Sequence, residues 1–179
     1  MKQLPQNQLP VLIALIGFMG AGKTTVGRIL ADELGYAFVD TDDLIVAGAG
    51  APIADIFRQE GEASFRRRET EALRSLQQRS RTVVAAGGGA PAQEANRDFF
   101  RMRARTFHLR VSMENARGRA QSPDAPVRPL LSQEETAVQQ LFAYRRSIYE
   151  TLGQPVETDG LSPQQVAEEI VRLLSPRES

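Results

Sequence analysis

Lys23 and Thr24 close the stretch Gly17-Phe18-Met19-Gly20-Ala21-Gly22-Lys23-Thr24, which fits the spacing G-x-x-x-x-G-K-[ST] without a gap. Chemistry on a polyphosphate needs this pattern. A glycine-rich turn aims the backbone N–H groups of Gly20, Ala21, Gly22, Lys23, Thr24 and Thr25 at phosphate oxygens, and the dipole of a following helix adds positive potential. The Lys23 ammonium reaches the terminal phosphates, and the Thr24 hydroxyl suits Mg²⁺. Only Lys2 and Lys23 are lysines, so the other basic residues are all arginine. A lysine stands at the one place where a flexible point charge is wanted.

Three further clusters carry chemistry with less specificity. Asp40 and Asp42 lie two apart at the end of an apolar run and share a face in extended geometry. One carboxylate can orient Mg²⁺ or its waters while the other accepts a hydroxyl proton. Equally, an aspartate there can cap the next helix. Gly87-Gly88-Gly89 is either a plain turn or a surface on which a substrate lies against the main chain. Arg66-Arg67-Arg68 reads as a solvated helix face with Arg67 paired to Glu71, or as Arg66 and Glu69 facing one site together. Arg145 and Arg146 are ambiguous alone.

Composition narrows the classes. Apolar residues make 41% and charged residues 25% of 179, as in an ordinary globular domain. The net charge is zero, which gives no global field for nucleic acid or an anionic membrane. The absence of cysteine excludes disulfides, thiolate metal sites and cysteine nucleophiles. The polar start, Met1 to Pro10, lacks the apolar core of a signal peptide, so a cytoplasmic protein is expected. His108 is the only histidine and falls in a strand-like run, so a structural role is expected of it.

The elements that must position these residues alternate between strand and helix. Residues 1–9 read as a flexible tail. Strands are expected over 11–16, 36–39, 82–86, 106–111 and 155–158. Helices are expected over 24–35, 44–47, 51–57, 62–79, 91–100, 114–119, 132–152 and 162–174. Ser132 with Glu135 forms a capping box at the start of the seventh of these. Short apolar strands alternating with helices predict an α/β fold with a parallel sheet covered on both faces. Ligands of such sheets sit at the carboxyl ends of the strands, where the phosphate-binding turn, Asp40–Asp43 and Gly87–Gly89 all fall. Residues 118–131 carry Pro123, Pro126 and Pro129 with Arg119 and Arg128 and show no periodicity. A loop of that length suggests a lid.

Taken together and in order, these segments resemble the shikimate kinases. The resemblance runs from about Leu12 to Leu152. It rests on Gly17 to Gly27, Asp40-Thr41-Asp42, Ile53 to Phe57 followed by Gly61-Glu62 and Phe65-Arg66, then Gly87-Gly88-Gly89, Arg128-Pro129-Leu130-Leu131, and Arg145 with Tyr149. It implies a P-loop kinase domain over 10–175 with a five-stranded parallel sheet, a substrate-binding segment at 41–70 and a lid at 118–131. The implied reaction is transfer of the γ-phosphoryl of ATP, with Mg²⁺, to the 3-hydroxyl of shikimate, in the route to chorismate and aromatic amino acids. Lys23 and Thr24 would serve the nucleotide phosphates and the metal, and Asp40 the metal through water. Asp42 would bind acceptor hydroxyls and serve as base. Arg66 and Arg145 would bind the carboxylate, Gly88 and Gly89 would back the ring, and Arg128 would reach substrate and phosphate from the lid. Arg119 would stack on adenine, while Thr158-Asp159-Gly160 stands where the family often has an Asn-Arg adenine loop. The implied partners are shikimate and ATP, with no nucleic acid or membrane, and a monomer is expected.

Competing readings are another small-molecule kinase of the same fold, for gluconate or a nucleoside monophosphate, or a nucleotide-binding module without turnover. Gly87–Gly89 with Arg66 and Arg145 argues against the first, and the retained Asp42 against the second.

Overall fold

A computed structural model describes residues 12–120 and 135–175. The expected tail, Ser132, Arg128 and residues 121–131 of the expected lid lie outside the described residues.

The described chain runs β1 (Leu12–Ile16), α1 (Lys23–Leu34), β2 (Ala37–Asp40), α2 (Thr41–Ala49), α3 (Ile53–Ser75), β3 (Thr82–Ala85), α4 (Glu94–Asp98), β4 (Arg105–Arg110), α5 (Met113–Ala120), α6 (Glu135–Leu152), β5 (Gln154–Glu157) and α7 (Pro163–Leu174). The five strands form one parallel sheet in the order β2-β3-β1-β4-β5. Every residue of β1 is buried, which requires cover on both faces of the sheet. The main core is built on this strand with Val83, Val84, Phe107 and Leu109 from its neighbours. A second apolar cluster of Ile45, Ile56, Phe65 and Ala72 lies in the α2–α3 unit. That unit therefore has a small core of its own.

Several boundaries differ from the sequence reading, each for a local reason. The helix expected over 44–47 begins at Thr41, because the Asp40 side chain caps it by accepting from the Asp42 N–H at 3.0 Å. It ends where Gly50 turns left-handed. The two helices expected on either side of Gly61 form one element, α3, bent at Gly61 (φ 78°, ψ 173°). The helix expected over 91–100 is divided. A 3₁₀ turn spans Ala90–Ala92, Gln93 is extended, α4 follows, and a π turn spans Phe99–Arg103. The wider turn accompanies two consecutive phenylalanines, Phe99 and Phe100, that are both buried. The expected Arg67–Glu71 pair does not form; Arg68 pairs with Glu60, and Arg66 with Glu62 and Glu69. The loop expected from residue 118 starts later, since α5 continues to Ala120.

Candidate active site

The phosphate-binding turn leaves the carboxyl end of β1 and enters α1 at Lys23. Gly20 carries φ 76°, and a Cβ there would stand 2.5 Å from the Ala116 carbonyl oxygen. Only glycine satisfies both the dihedral and the packing. No side chain caps the start of α1 and no acid lies in its first turn, which leaves that end electropositive. Lys23 folds back over the turn, its Nζ donating to the carbonyls of Gly17 (2.9 Å) and Phe18 (3.2 Å). The Thr24 hydroxyl donates to Asp40 Oδ2 at 2.7 Å. Asp40 therefore acts as the helix cap, one of the two readings open to it, and it still has an oxygen on the phosphate-binding side. One oxygen caps α2 and the other meets Thr24.

Asp42, in the first turn of α2, sits against the glycine triplet. A Cβ on Gly87 would stand 2.7 Å from Asp42 Oδ1 and 3.1 Å from Glu69 Oε1. The Gly87 N–H donates to the buried Thr41 hydroxyl at 2.8 Å, tying the triplet to the Asp40–Asp42 segment. A Cβ on Gly89 would fall 2.0 Å from Arg66 Nη1, and one on Gly88 would fall 3.4 Å from Arg145 Nη1. Two guanidinium groups, from α3 and α6, thus close on adjacent glycines. A side chain at Gly87 would collide with Asp42, and one at Gly89 with Arg66.

Electrostatics hold the arginines in place. Glu69 is buried, and it accepts from Arg66 Nη1 at 2.6 Å and from Gln93 Nε2 at 2.9 Å. Burial raises its pKa; Arg66 offsets part of this, and nearby Asp42 adds to the rise. For Arg66, burial works against the charge, but the Glu69 and Glu62 carboxylates outweigh it and raise its pKa. Arg145 is buried, with its guanidinium 6.0 Å from the Phe18 ring centroid.

On the far side of the turn, Arg119 in α5 donates to the carbonyls of Gly20 (3.3 Å) and Thr158 (3.1 Å). It bridges the phosphate-binding turn to the β5–α7 connection. Asp159 in that connection accepts from the Ser112 N–H at 2.9 Å, just before α5. Thr158–Gly160, which stands where the family often has an Asn-Arg loop, is thus pinned from two sides.

The strand ends open into one cleft of about 1790 Å³. Gly20 to Thr25, Asp40, Asp42, Arg66, Gly88, Gly89, Arg119 and Arg145 are brought together there. Among the expected site residues only Arg128 lies outside the described residues. His108 is not part of the cleft. It is buried in β4, where desolvation, aided by the Arg110 charge, lowers its pKa to about 4. Thr41 and Gln93 carry no role of their own in the sequence reading, since their side-chain hydrogen bonds to Gly87 and Glu69 span distant segments. Among the described residues no three carboxylate or histidine groups gather as a metal site, and no helix is long and apolar enough to cross a membrane.

A family model described as shikimate kinase matches residues 19–175. A shikimate kinase of Chromohalobacter salexigens is 45% identical, over 92% of this chain and 91% of that protein. One of Symbiobacterium thermophilum is 41% identical, over 92% of this chain and 97% of that protein. A solved shikimate kinase of Acinetobacter baumannii, in complex with shikimate, superposes with a TM-score of 0.87 at 38% identity, covering 95% of this chain and 97% of that one.

Proposed function

The chain belongs to the shikimate kinase family, and on that premise we propose that its cleft passes the γ-phosphoryl group of ATP to the 3-hydroxyl of shikimate. The reaction belongs to the route to chorismate and the aromatic amino acids. The observation that carries the reading is the two-sided cleft. A phosphate-binding turn faces a carboxylate, two arginines and bare glycine backbone within one cavity.

Phosphoryl transfer asks mainly for positioning and charge neutralisation. The N–H groups of Gly20, Ala21, Gly22, Lys23, Thr24 and Thr25 hold the phosphates, and Lys23 exchanges its two carbonyl partners for phosphate oxygens. Arg119, beside Thr158, flanks the base. The Thr24 hydroxyl and the Asp40 carboxylate, 2.7 Å apart, would hold a magnesium ion, Thr24 directly and Asp40 through water. When bound, that ion neutralises charge on the phosphate oxygens. Asp42 orients the acceptor hydroxyl and receives its proton as the new O–P bond forms and the bond to the ADP oxygen breaks. Arg66 and Arg145 take the acceptor carboxylate, which planar forked donors suit better than an ammonium would. Gly88 and Gly89 lie under the ring. Arg128 and the lid at 118–131 are carried into the proposal from the resemblance alone. A monomer is part of the proposal, and the need for ATP suits the cytoplasm.

A coupled ADP-release assay with shikimate, gluconate and AMP tests the reading. Turnover is expected with shikimate only. Comparable turnover with gluconate or AMP, or none with shikimate, would overturn it.

A further inference from the structure

We propose that Tyr149 is a positioning residue of the acceptor half of the cleft, its hydroxyl setting the geometry of Gly88 and Arg145 together. This rests on the shikimate reading above. Tyr149 lies on α6, one turn after Arg145, and is 1% exposed. Its hydroxyl donates to the Gly88 carbonyl at 2.6 Å, and the charge of Arg145 lies near enough to the phenol to oppose the rise of its pKa. Around the open side of Gly88 stand three atoms: Arg145 Nη1, the Gly17 carbonyl oxygen and Tyr149 Oη. The phenol thus anchors the glycine triplet at the point where an arginine of the cleft and the start of the phosphate-binding turn come closest to Gly88.

The effect on the ligand follows from peptide geometry. In a trans peptide the N–H points opposite to the preceding C=O. Anchoring the Gly88 carbonyl on Tyr149 therefore fixes the direction of the Gly89 N–H. Among the described residues the N–H groups of Gly88 and Gly89 hydrogen-bond no other protein group. They are available to a bound acceptor. Thr41 holds the first member of the triplet through its N–H, and Tyr149 holds the second through its carbonyl. A run of three glycines has no side-chain packing of its own to supply that order.

The hydroxyl stays a donor at working pH. Burial pushes the Tyr149 pKa up to about 12, against the pull of Arg145. The His108 ring, 5.2 Å away between centroids, stays neutral above about pH 4 and brings no charge to the phenol.

Tyr149→Phe keeps the ring and removes the hydrogen bond to Gly88. The expected result is a rise of about five- to tenfold in shikimate KM, with ATP KM within about twofold and kcat changed less than shikimate KM. Wild-type shikimate KM in a folded variant would overturn the proposal. So would an equal rise in both KM values, which is what general loosening of the core would give. Should Tyr149→Phe not fold, the wild-type chain still answers. Its three tyrosines can be replaced by 3-fluorotyrosine and their fluorine signals assigned with Tyr36→Phe and Tyr144→Phe. Saturating shikimate must move the Tyr149 signal, and an unmoved signal overturns the proposal. Wild-type turnover of shikimate is measured first. Its absence sinks the functional reading and this proposal with it, whereas turnover with an unaffected Tyr149→Phe sinks the proposal alone.

Discussion

Lys23 rests with its ammonium on the carbonyls of Gly17 and Phe18, so its charge is already held over the turn before any phosphate arrives. Its removal takes away a preorganised donor and no core packing. Lys23→Ala should fold normally by circular dichroism and lose about a hundredfold or more in kcat; near-normal turnover would separate this turn from catalysis. The two arginines should behave alike toward substrate and differently toward stability. Replacing either with alanine removes a charge-assisted bond worth roughly 1.5–3 kcal/mol, so shikimate KM should rise about tenfold or more with ATP KM little changed. Arg66, however, is also the cation of buried Glu69. Arg66→Ala should lower the melting temperature, and adding Glu69→Gln should restore part of it, because the second change removes the stranded carboxyl. If the double variant melts no higher than Arg66→Ala, Glu69 is not what that substitution exposes.

Among the elements, α3 decides where Arg66 points. Gly61 bends it with φ 78° and ψ 173°, a conformation essentially confined to glycine. A Cβ there would meet nothing within 4 Å, so the obstacle to a side chain is the backbone alone. Gly61→Ala should cost about 1–3 kcal/mol in chemical denaturation and raise shikimate KM by tilting Arg66. A variant as stable as the parent would mean that the bend relaxes freely. The legibility of the site follows the same division. Lys23, Thr24 and Asp40 could be read because their pattern is contiguous or lies at a strand end. The alternation of strands and helices exposed the sheet for the same local reason. Arg66 and Arg145 had no such signal in an arginine-rich chain; they meet only because α3 and α6 both pack toward Gly87–Gly89. Thr41 looks like any residue between a strand and a helix until Gly87 is brought against it. The division of 91–100 escaped because a buried Phe99-Phe100 pair fits a regular helix as well as a wide turn.

At the scale of the whole molecule, the lone histidine ties global stability to pH. Unfolded, an imidazole takes up its proton near pH 6.5. Folded, His108 does so only near pH 4, chiefly because it is desolvated. Between these values the unfolded chain binds more protons. The contribution is therefore complete above about pH 6.5 and is lost as the pH falls toward 4. Denaturation measured from pH 7 to 4 should show this loss, and His108→Phe should remove the imidazole's share of it. The single imidazole resonance should follow an apparent pKa near 4; a value near 6.5 would refute the burial argument.

The strand order has a consequence for synthesis. β1 stands at the centre of the sheet, yet its second neighbour, β4, does not begin until Arg105. A chain emerging from the ribosome can first assemble β2, β3 and β1, already bearing the phosphate-binding turn, Asp42 and Gly87–Gly89. One flank of Leu12–Ile16, apolar throughout, is then an unpaired edge. Protease should cut arrested chains that stop before Arg105 within this strand and spare chains that extend past Arg110. The most buried strand of the finished enzyme is thus the one most exposed to misassociation while it is being made.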